Sequence, residues 1–462
     1  MTTKPQTIES DSTSRLAQFT SELQYSDLPA EVVAALKMAV LDTLGTTLAA
    51  STLGAACRET VNVVKQMGGA PESTIIGFGG KVPAVNAAFA NGAMAHALNY
   101  DAIGAGHLGV LVPAPLAVAE RSGHVSGREF LAALAAGAEI TARINVALAA
   151  KGVNANEKFL EGQLVSTFGA AAGAGRILQL PRIAMHNAIG LALMQANGSM
   201  QVVVGGDPPA KAIYAAFPNK SGVLAALLSK EGVGAACDAL EGEAGFFNMY
   251  YAGTYDRRAL TDDLGKRFQC LDIRFKPWPT SGALHPFIEA AVTLRSTHRL
   301  EASQIERIHF HAGPRSREWI EPLGGRRHPA NAAAAANSIP FGIAKAFVNG
   351  NVTLSDFTPE GMKQAAASEL ADRVDYSIDE GLNQSAIVEV TTKRGQTLRQ
   401  RVDNPLGSAE HPMSYEQIVA KFKDCAKHSV RPLSDKTVAE VIRLANELER
   451  LQDVSTILAP LS

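Results

Sequence analysis

The sequence predicts a mainly α-helical protein with a smaller α+β domain. From Leu16 to about Leu264, apolar residues recur at three- and four-residue intervals, which is typical of amphipathic helices. Beyond Phe268 the pattern changes, because short segments alternate polar and apolar residues as strands do. Hydrophobic residues make up 46% of the chain and aromatic residues only 6%. Small aliphatic side chains therefore dominate the predicted core, which suits closely packed helices.

The predicted helical domain follows a polar N-terminal segment. Residues 1–14 contain acidic residues and no apolar run, so they predict a disordered tail and no secretory signal. Within residues 31–50, Leu36, Val40 and Leu44 stand at four-residue steps on one helix face. Similar spacing predicts helices at 82–98, 112–122, 127–149, 166–178, 183–196 and 210–230.

Strand patterns mixed with helices mark the second domain. Residues 306–311 alternate polar and apolar side chains, and residues 386–402 predict two strands around a turn at 393–396. Further helical patterns occur at 338–348, 358–371, 415–425 and 437–451. The last two follow Pro405, so we expect them to pack back on the first domain.

These patterns divide the chain into four parts. We expect a disordered tail at 1–14, a large helical domain at 15–267, an α+β lid domain at 268–405, and C-terminal helices at 406–462. A cleft between two such domains is the usual place for a small-molecule site, and the two chain crossings would allow hinge motion.

Charge and cysteine content narrow the class of protein. A formal net charge of −2 gives no electrostatic reason to expect binding to nucleic acid or to an anionic membrane. The four cysteines lie far apart without CxxC spacing, which indicates free thiols in a reducing compartment. The alanine-rich run at 131–138 is too short to span a bilayer, and Glu139 interrupts it. We therefore expect a soluble cytoplasmic protein.

A polar cluster stands where a predicted buried helix ends. It consists of His96, Asn99, Tyr100, Asp101 and His107. Glycines at 104 and 106 favour a loop there, because they leave the backbone too much freedom for a helix. Functional side chains concentrate at such junctions. The alternative is that one histidine and one aspartate merely cap the helix end.

Two cationic segments are further candidates. The glycine-rich run at 205–208 precedes Lys211, which would project from the first turn of a helix, where anions are favoured. The alternative is an ordinary loop before a helix start. Arg274 and Lys276 belong to a proline-rich, extended segment at the domain junction. Lys276 is either a solvated charge, as most lysines are, or a carboxylate anchor.

Six segments in the same order resemble the MmgE/PrpD family, over nearly the whole chain. They are AVLDTLGTTLAAS (39–51), NGAMAHALNYD (91–101), FGAAAGAGRILQL (168–180), LEGEAGFF (240–247), FKPWPTSGALH (275–285) and HPMSYEQIVAKF (411–422). The family includes 2-methylcitrate dehydratase, cis-aconitate decarboxylase and iminodisuccinate epimerase. The resemblance implies a large helical domain with an α+β lid, no metal or organic cofactor, and a homodimer.

The resemblance also implies a set of site residues. The family's acidic loop with its following histidine matches Asp101 and His107, and the family's two lysines match Lys211 and Lys276. Residues expected to contact the substrate are Asn99, Tyr100, Tyr214, Arg274 and His285. Three positions depart from the family pattern. Asn99 replaces an acidic residue, while Tyr214 and Leu160 stand where histidines are usual.

The retained residues are suited to proton transfer beside a carboxylate. Two lysines could stabilise the developing negative charge, and a histidine titrates near working pH. Asp101 could orient His107 or act as a second base. We expect the His107 ring and the ammonium groups of Lys211 and Lys276 to line one pocket, within about 10 Å of one another.

We therefore expect a lyase that dehydrates or decarboxylates a small carboxylic acid with several carboxylates. One alternative is an epimerase of an amino- or imino-linked dicarboxylate or a related acid. Leu160 favours that alternative, since nothing has to leave in an epimerisation. The other alternative is a protein that has kept the fold, binds a polycarboxylate and performs no chemistry.

Overall fold

The computed structural model describes residues 11–203 and 209–462, and the chain forms two compact units. The first unit comprises Met1–Ile273 and Ile418–Ser462, and the second comprises Arg274–Gln417. Helices dominate the first unit, whereas the second combines helices with a β-sheet. The predicted fold class, mainly α with a smaller α+β part, is therefore confirmed.

The first unit is built mainly of helices. They are α1 (Ser12–Glu22), α2 (Ala30–Leu53), α3 (Cys57–Met67), α4 (Ala84–His96), α5 (Leu108–Leu111), α6 (Pro113–Ser122), α7 (Gly127–Ala149), α8 (Glu161–Ile177), α9 (Arg182–Leu193), α10 (Pro209–Ala212), α11 (Ala216–Lys230), α12 (Phe246–Tyr251) and α13 (Arg257–Thr261). Two-residue strands β1 (Ser73–Thr74) and β2 (Lys81–Val82) pair antiparallel, and β3 (Ile103–Gly104) follows α4. These strands were not expected in the helical domain, because two residues are too few to show alternation.

Helix α8 packs against both α7 and α11 in the core of the first unit. Small residues make this possible, since a β-carbon added at Gly137 would lie 2.5 Å from the carbonyl oxygen of Gly169. Phe168 of α8 is fully buried. The tight crossing of α7 and α8 fixes the position of the N-terminal end of α8, where the candidate site begins.

Helices α2 and α7 are each long and apolar enough to cross a membrane by length and composition, and α7 contains the alanine-rich run at 131–138. The apolar windows of α2 and α7 are, however, 72% and 89% buried inside the protein, as in core helices of soluble proteins. In α7, Arg143 Nε lies 2.7 Å from Glu139 Oε1, with both side chains fully buried. Each charge thus offsets the other inside the core.

The N-terminal tail predicted at 1–14 is wrong for residues 12–14, which begin helix α1. Asp11 caps this helix, because its Oδ1 accepts a hydrogen bond from Ser14 N at 2.5 Å. Thr13 is buried, and its hydroxyl accepts a hydrogen bond from Leu240 N at 3.3 Å. Tertiary contacts therefore order a segment that is polar in sequence. The rest of the predicted tail, residues 1–10, lies outside the described residues.

The helix predicted at 210–230 is two helices, α10 and α11, separated by residues 213–215. Pro218 explains the break, since proline has no N–H to bond to the carbonyl oxygen of Tyr214 and therefore belongs in a first turn. The glycine-rich run predicted at 205–208 lies outside the described residues.

All four cysteines lie in the described part of the chain and are free thiols, as the sequence predicted. Cys57, Cys270 and Cys425 are buried. Burial raises the pKa of the Cys57 thiol to about 12, which makes it a poor nucleophile.

The second unit begins within the short strand β4 (Ile273–Arg274) and contains a four-stranded sheet. Its helices are α14 (His285–His298), α15 (Leu323–Arg327), α16 (Ala332–Ala335), α17 (Ile339–Asn349), α18 (Pro359–Met362) and α19 (Ala365–Ala371). Its further strands are β5 (Ile305–Ala312), β6 (Val374–Ile378), β7 (Ala386–Thr392) and β8 (Thr397–Val402). Helix α20 (Tyr415–Ala426) then carries the chain back to the first unit, where α21 (Asp435–Asn446) follows.

The strand order in this sheet is β6-β5-β7-β8. Strand β6 runs parallel to β5, and the other neighbours are antiparallel. Helix α14 packs on the sheet, with the rings of Phe287 and Phe310 5.3 Å apart. The β7–β8 hairpin turns at 393–396, as predicted. Strand β6 was missed, because its sequence VDYSI is short and exposes a charged residue.

The chain crosses between the units at 273/274 and 417/418, whereas the sequence pattern placed the crossings at 267/268 and 405/406. Residues 406–417 belong to the second unit because they contact its helix α14 and the segment before it. Leu406 N donates to Glu289 Oε2 at 2.6 Å, and Gly407 packs against the carbonyl oxygen of Phe275.

Candidate active site

The candidate site lies in the first unit, in the loop that follows helix α4. The helix ends at His96, and the loop reaches α5 at His107, so the chain breaks where the sequence predicted. Asn99 and His107 have φ angles of 51° and 45°. Left-handed backbone is unfavourable for residues with a β-carbon, although asparagine adopts it more readily than most. Contacts with neighbouring helices must therefore hold the loop in this shape.

Asp101 is one anchor of the loop. It is buried, and its carboxylate pairs with His96 Nδ1 at 3.0 Å through Oδ1 and 3.1 Å through Oδ2. Its β-carbon packs against the first turn of α5, where a β-carbon added at Gly109 would lie 2.9 Å from it. Asp101 is therefore held between the end of α4 and the start of α5.

A buried lysine supports the same loop from helix α20. Lys421 Nζ lies 2.6 Å from Asp42 Oδ1, donates to the Tyr100 carbonyl oxygen at 2.6 Å, and lies 3.8 Å from the Tyr100 ring centroid. Burial raises the pKa of Asp42, although Lys421 lowers it in part. Tyr100, predicted to contact substrate, is itself buried and packs against this ammonium group.

His107 is held through both of its ring nitrogens. Nδ1 lies 2.9 Å from Ser166 Oγ, and Nε2 lies 3.3 Å from Glu161 Oε1. The side-chain amide nitrogen of Asn145 lies 3.4 Å from the same Nε2. The side chains of His107 and Glu161 each keep 16% of their surface exposed. The pair is thus fixed in orientation, and part of each side chain reaches the solvent.

The electrostatics of this pair favour its charged form. Burial alone lowers the pKa of His107, but the carboxylates of Glu161 and Asp101 outweigh that effect, and the net pKa is raised. Burial raises the pKa of Glu161, but His107 outweighs that effect, and the net pKa is lowered. Each of the two groups therefore stabilises the charged form of the other.

Tyr214 connects the two histidine–carboxylate pairs. Its ring lies 4.2 Å from the ring of His96, and a β-carbon added at Gly162 would lie 2.8 Å from its hydroxyl oxygen. Burial raises the pKa of Tyr214 well above 10, with smaller contributions from Asp101 and Glu161. Tyr214 therefore remains a neutral hydroxyl that can donate a hydrogen bond.

Lys211 stands one turn before Tyr214, whose backbone N–H donates to the Lys211 carbonyl oxygen at 3.4 Å. It is half-buried. The structure thus brings together Asp101, His107 and Tyr214, and the Lys211 backbone lies one turn before Tyr214. The expected convergence of the His107 ring with both lysine ammonium groups stays a prediction.

The remaining predicted residues belong to the second unit. Lys276 and His285 are only 4% and 5% exposed, and Arg274 is half-buried. The ring of His285 meets the ring of Trp278 edge-on, with 5.4 Å between centroids. The interpretation of Lys276 as a solvated charge is therefore wrong, because the proline-rich segment that carries it is folded into the unit.

Sequence reasoning missed several neighbours of His107. The sequence position of Glu161 could have indicated a role, because this residue directly follows Leu160, where the family resemblance leads one to expect a histidine. Ser166 and Asn145 carry no such signal, because a serine and an asparagine within apolar helices usually satisfy the backbone. Among the residues that the structure describes, no group of three or more histidine, cysteine or acidic side chains is arranged to hold a metal ion.

Comparison with known proteins decides the family. Residues 14–258 match the MmgE/PrpD N-terminal domain, and residues 278–447 match the MmgE/PrpD C-terminal domain. The chain belongs to the MmgE/PrpD family. The family predicted from the six sequence segments is therefore confirmed.

The chain is similar to several proteins that are named after cis-aconitate decarboxylation. The chain is 26% identical to cis-aconitate decarboxylase of Aspergillus terreus over 483 residues, which cover 96% of this chain and 95% of the relative. It is 26% identical to the cis-aconitate decarboxylase-like protein oryM of Aspergillus oryzae, covering 100% and 99% of the two chains. Human cis-aconitate decarboxylase is 26% identical over 395 residues, which cover 82% of this chain and 79% of the relative. These relatives support a lyase that acts on a polycarboxylate.

Proposed function

We propose that this family member is a lyase that decarboxylates a small unsaturated polycarboxylate, and that His107 delivers a proton to the carbon that loses carbon dioxide. One observation carries the proposal. His107 is partly exposed, is clamped through both ring nitrogens, and faces a carboxylate that favours its protonated form. An acid held in this way is suited to proton delivery at a fixed point.

The reaction balances with groups of this chain. The carbon–carbon bond to one carboxylate breaks, carbon dioxide leaves, and the electron pair remains on the substrate carbon. That carbon takes the proton of the His107 imidazolium, and the imidazole then regains a proton from solvent. No oxidant or reductant is needed, because no electrons leave the substrate.

Cations and a hydroxyl complete the proposed site. The negative charge on the substrate carbon and the remaining carboxylates need nearby positive charge. Lys211 is proposed for this role because it stands one turn before Tyr214. Lys276 is proposed on its match to the family pattern. Tyr214 would donate a hydrogen bond to a substrate oxygen, since its hydroxyl remains protonated.

Dehydration of a hydroxy-polycarboxylate is the second candidate. It needs a base for the C–H proton and an acid for the departing hydroxyl. The two histidine–carboxylate pairs, His96 with Asp101 and His107 with Glu161, could divide these roles, since Tyr214 contacts the first pair and lies next to the second.

A product assay tests the proposal. Purified protein is incubated with cis-aconitate and a panel of related di- and tricarboxylates, and carbon dioxide release is measured beside ultraviolet absorbance. We expect one substrate to release one carbon dioxide per molecule consumed. Absorbance that rises without carbon dioxide would favour dehydration. A folded protein that polycarboxylates stabilise against heat but that converts none of them would contradict catalysis altogether.

The proposal includes a homodimer, a cytoplasmic location and a reaction without metal or organic cofactor, as the family resemblance implies. Light scattering coupled to size-exclusion chromatography measures the oligomeric state directly. A monomer at all concentrations would contradict the first of these statements.

A further inference from the structure

Glu161 occupies a specific place at the start of helix α8. It is the first residue of the helix, where the positive end of the helix dipole favours a negative charge. Asn156 fixes it twice, because Asn156 Oδ1 accepts from the Glu161 backbone N–H at 3.1 Å and Asn156 Nδ2 donates to Oε2 at 3.4 Å. Its other carboxylate oxygen remains directed at His107 Nε2. The carboxylate is thus preorganised before any ligand binds.

Two of the three polar contacts of the His107 ring come from one helix, and the third, from Asn145, comes from α7. Glu161 and Ser166 both belong to α8, which approaches Nε2 with a carboxylate and Nδ1 with a hydroxyl oxygen. Either oxygen can accept a hydrogen bond, so a ring with protons on both nitrogens is satisfied. The neutral tautomer protonated on Nε2 is also satisfied, because the Ser166 hydroxyl can then donate to Nδ1. The group that favours the imidazolium is therefore the Glu161 carboxylate at Nε2.

Beside Glu161, one further carboxylate acts on His107, and the other close side chains named below are neutral. From the loop after α4, Asp101 raises the pKa of His107, and its direct partner is His96. From α7, the neutral amide of Asn145 lies closest. Tyr214 carries no charge near neutral pH. Glu161 is therefore the dominant anion at the ring.

We infer that Glu161 is a positioning residue that keeps His107 protonated before substrate binds, so that the site starts its reaction as a proton donor. This inference rests on the proposed function and narrows it toward reactions that end with a proton placed on carbon. In the decarboxylation written above, the proton passes from His107 to the substrate carbon, and Glu161 keeps its charge throughout. Glu161 acts through His107 and needs no contact with substrate.

The test measures the His107 pKa directly, in the full-length protein without ligand. Protein with labelled histidine is titrated by NMR, and the His107 signal is assigned by its loss in His107→Asn. We expect the His107 pKa to fall in Glu161→Gln, which keeps the size and one acceptor oxygen but removes the charge. We expect Glu161→Asp to restore part of the shift. The matched control is Glu157→Gln, an exposed residue in the preceding loop, which should leave the pKa unchanged.

Kinetics provide the second readout. In Glu161→Gln the alkaline limb of the kcat/KM profile should move to lower pH, and kcat/KM at pH 7.5 should fall on the order of 10-fold, because less of the enzyme starts with the acid protonated. An unchanged His107 pKa in Glu161→Gln would overturn the inference, whatever the activity. A lowered pKa in a protein that converts no substrate would support the positioning role and count against the proposed function alone.

Discussion

Lys421 Nζ lies 2.6 Å from Asp42 Oδ1 and 2.6 Å from the Tyr100 carbonyl oxygen, so one buried ammonium group joins α20, α2 and the loop that carries Asp101. The side chains of Lys421 and Asp42 are only 3% and 0% exposed. The loop of the candidate site therefore depends on a helix more than 300 residues away in the chain.

Removing this lysine should destabilise the protein strongly. Lys421→Met leaves the Asp42 carboxylate buried without its countercharge, which costs about 3–5 kcal/mol in such pairs. The free energy of unfolding from urea titration measures the loss. Adding Asp42→Asn to the same protein should recover part of it, because the uncompensated charge is gone. A double variant as unstable as the sum of the two single variants would contradict this pairing.

His107→Asn should remove most of the activity while the fold persists. Asparagine tolerates the left-handed φ of 45° at this position, but it cannot deliver a proton. We expect kcat to fall about 100-fold or more, as for other general acids. The matched control is His124→Asn, since His124 is exposed and has a φ of 57°. Equal losses in the two variants would mean that backbone strain, and not proton transfer, explains the effect.

The His107–Glu161 pair should stabilise the protein only within a limited pH range. The raised pKa of His107 adds stability that is complete below its ordinary value of about 6.5 and is lost as pH rises through its folded pKa. The lowered pKa of Glu161 adds stability that is present above its ordinary value of about 4.3 and is lost as pH falls through its folded pKa.

The difference in unfolding free energy between wild type and Glu161→Gln should therefore be largest between about pH 4.3 and 6.5. It should shrink on the alkaline side once His107 has lost its proton. Urea titrations at a series of pH values measure this difference. A difference that stays constant from pH 5 to pH 9 would show that the two groups do not interact.

Adding a methyl group where α7 crosses α8 should destabilise the protein. Gly137→Ala places a β-carbon 2.5 Å from the Gly169 carbonyl oxygen, so the helices must separate. Overpacking of this kind costs about 1–3 kcal/mol. Gly324→Ala is the control, because it also lies in a helix and its new β-carbon meets nothing within 4 Å. The melting temperatures of the two variants are measured by thermal unfolding. A Gly137→Ala protein that is as stable as the control would contradict the tight crossing of α7 and α8.

Chelation should leave the activity unchanged. The proposed proton transfer uses the His107 imidazolium and no metal ion, as the family resemblance implies. Activity is measured after dialysis against EDTA and again after divalent cations are added back. A loss that cations restore would show that the reaction needs a metal ion.

The sequence predicted those parts of the fold that are determined by residues close together in the chain. Helix α7 has the predicted bounds, because 23 residues of periodic apolar spacing lie between a serine cap and a loop. The β7–β8 hairpin was predicted for the same reason, since its turn contains Gly395 between two alternating segments. Strand β6 was missed because its parallel partner β5 lies more than 60 residues away and supplies the pairing that the sequence of β6 does not show.

Less of the candidate site than of the fold could be predicted from the sequence. His107 and Asp101 stand in one loop, and their residue types indicate chemistry directly. Glu161 is 54 residues further along, and only the packing of α8 beside α5 brings its carboxylate to His107. The Lys421–Asp42 pair is likewise non-local, and nothing in the sequence of either helix indicates that these two charges meet.

Reaction in heavy water tests the central claim most directly. The protein converts its substrate in D₂O, and NMR with mass spectrometry locates the deuterium in the product. The account predicts one deuterium on the carbon that lost carbon dioxide, in one stereochemical configuration, and loss of this reaction in His107→Asn. Product without deuterium at that carbon, or an unchanged rate in His107→Asn, would contradict proton delivery by His107.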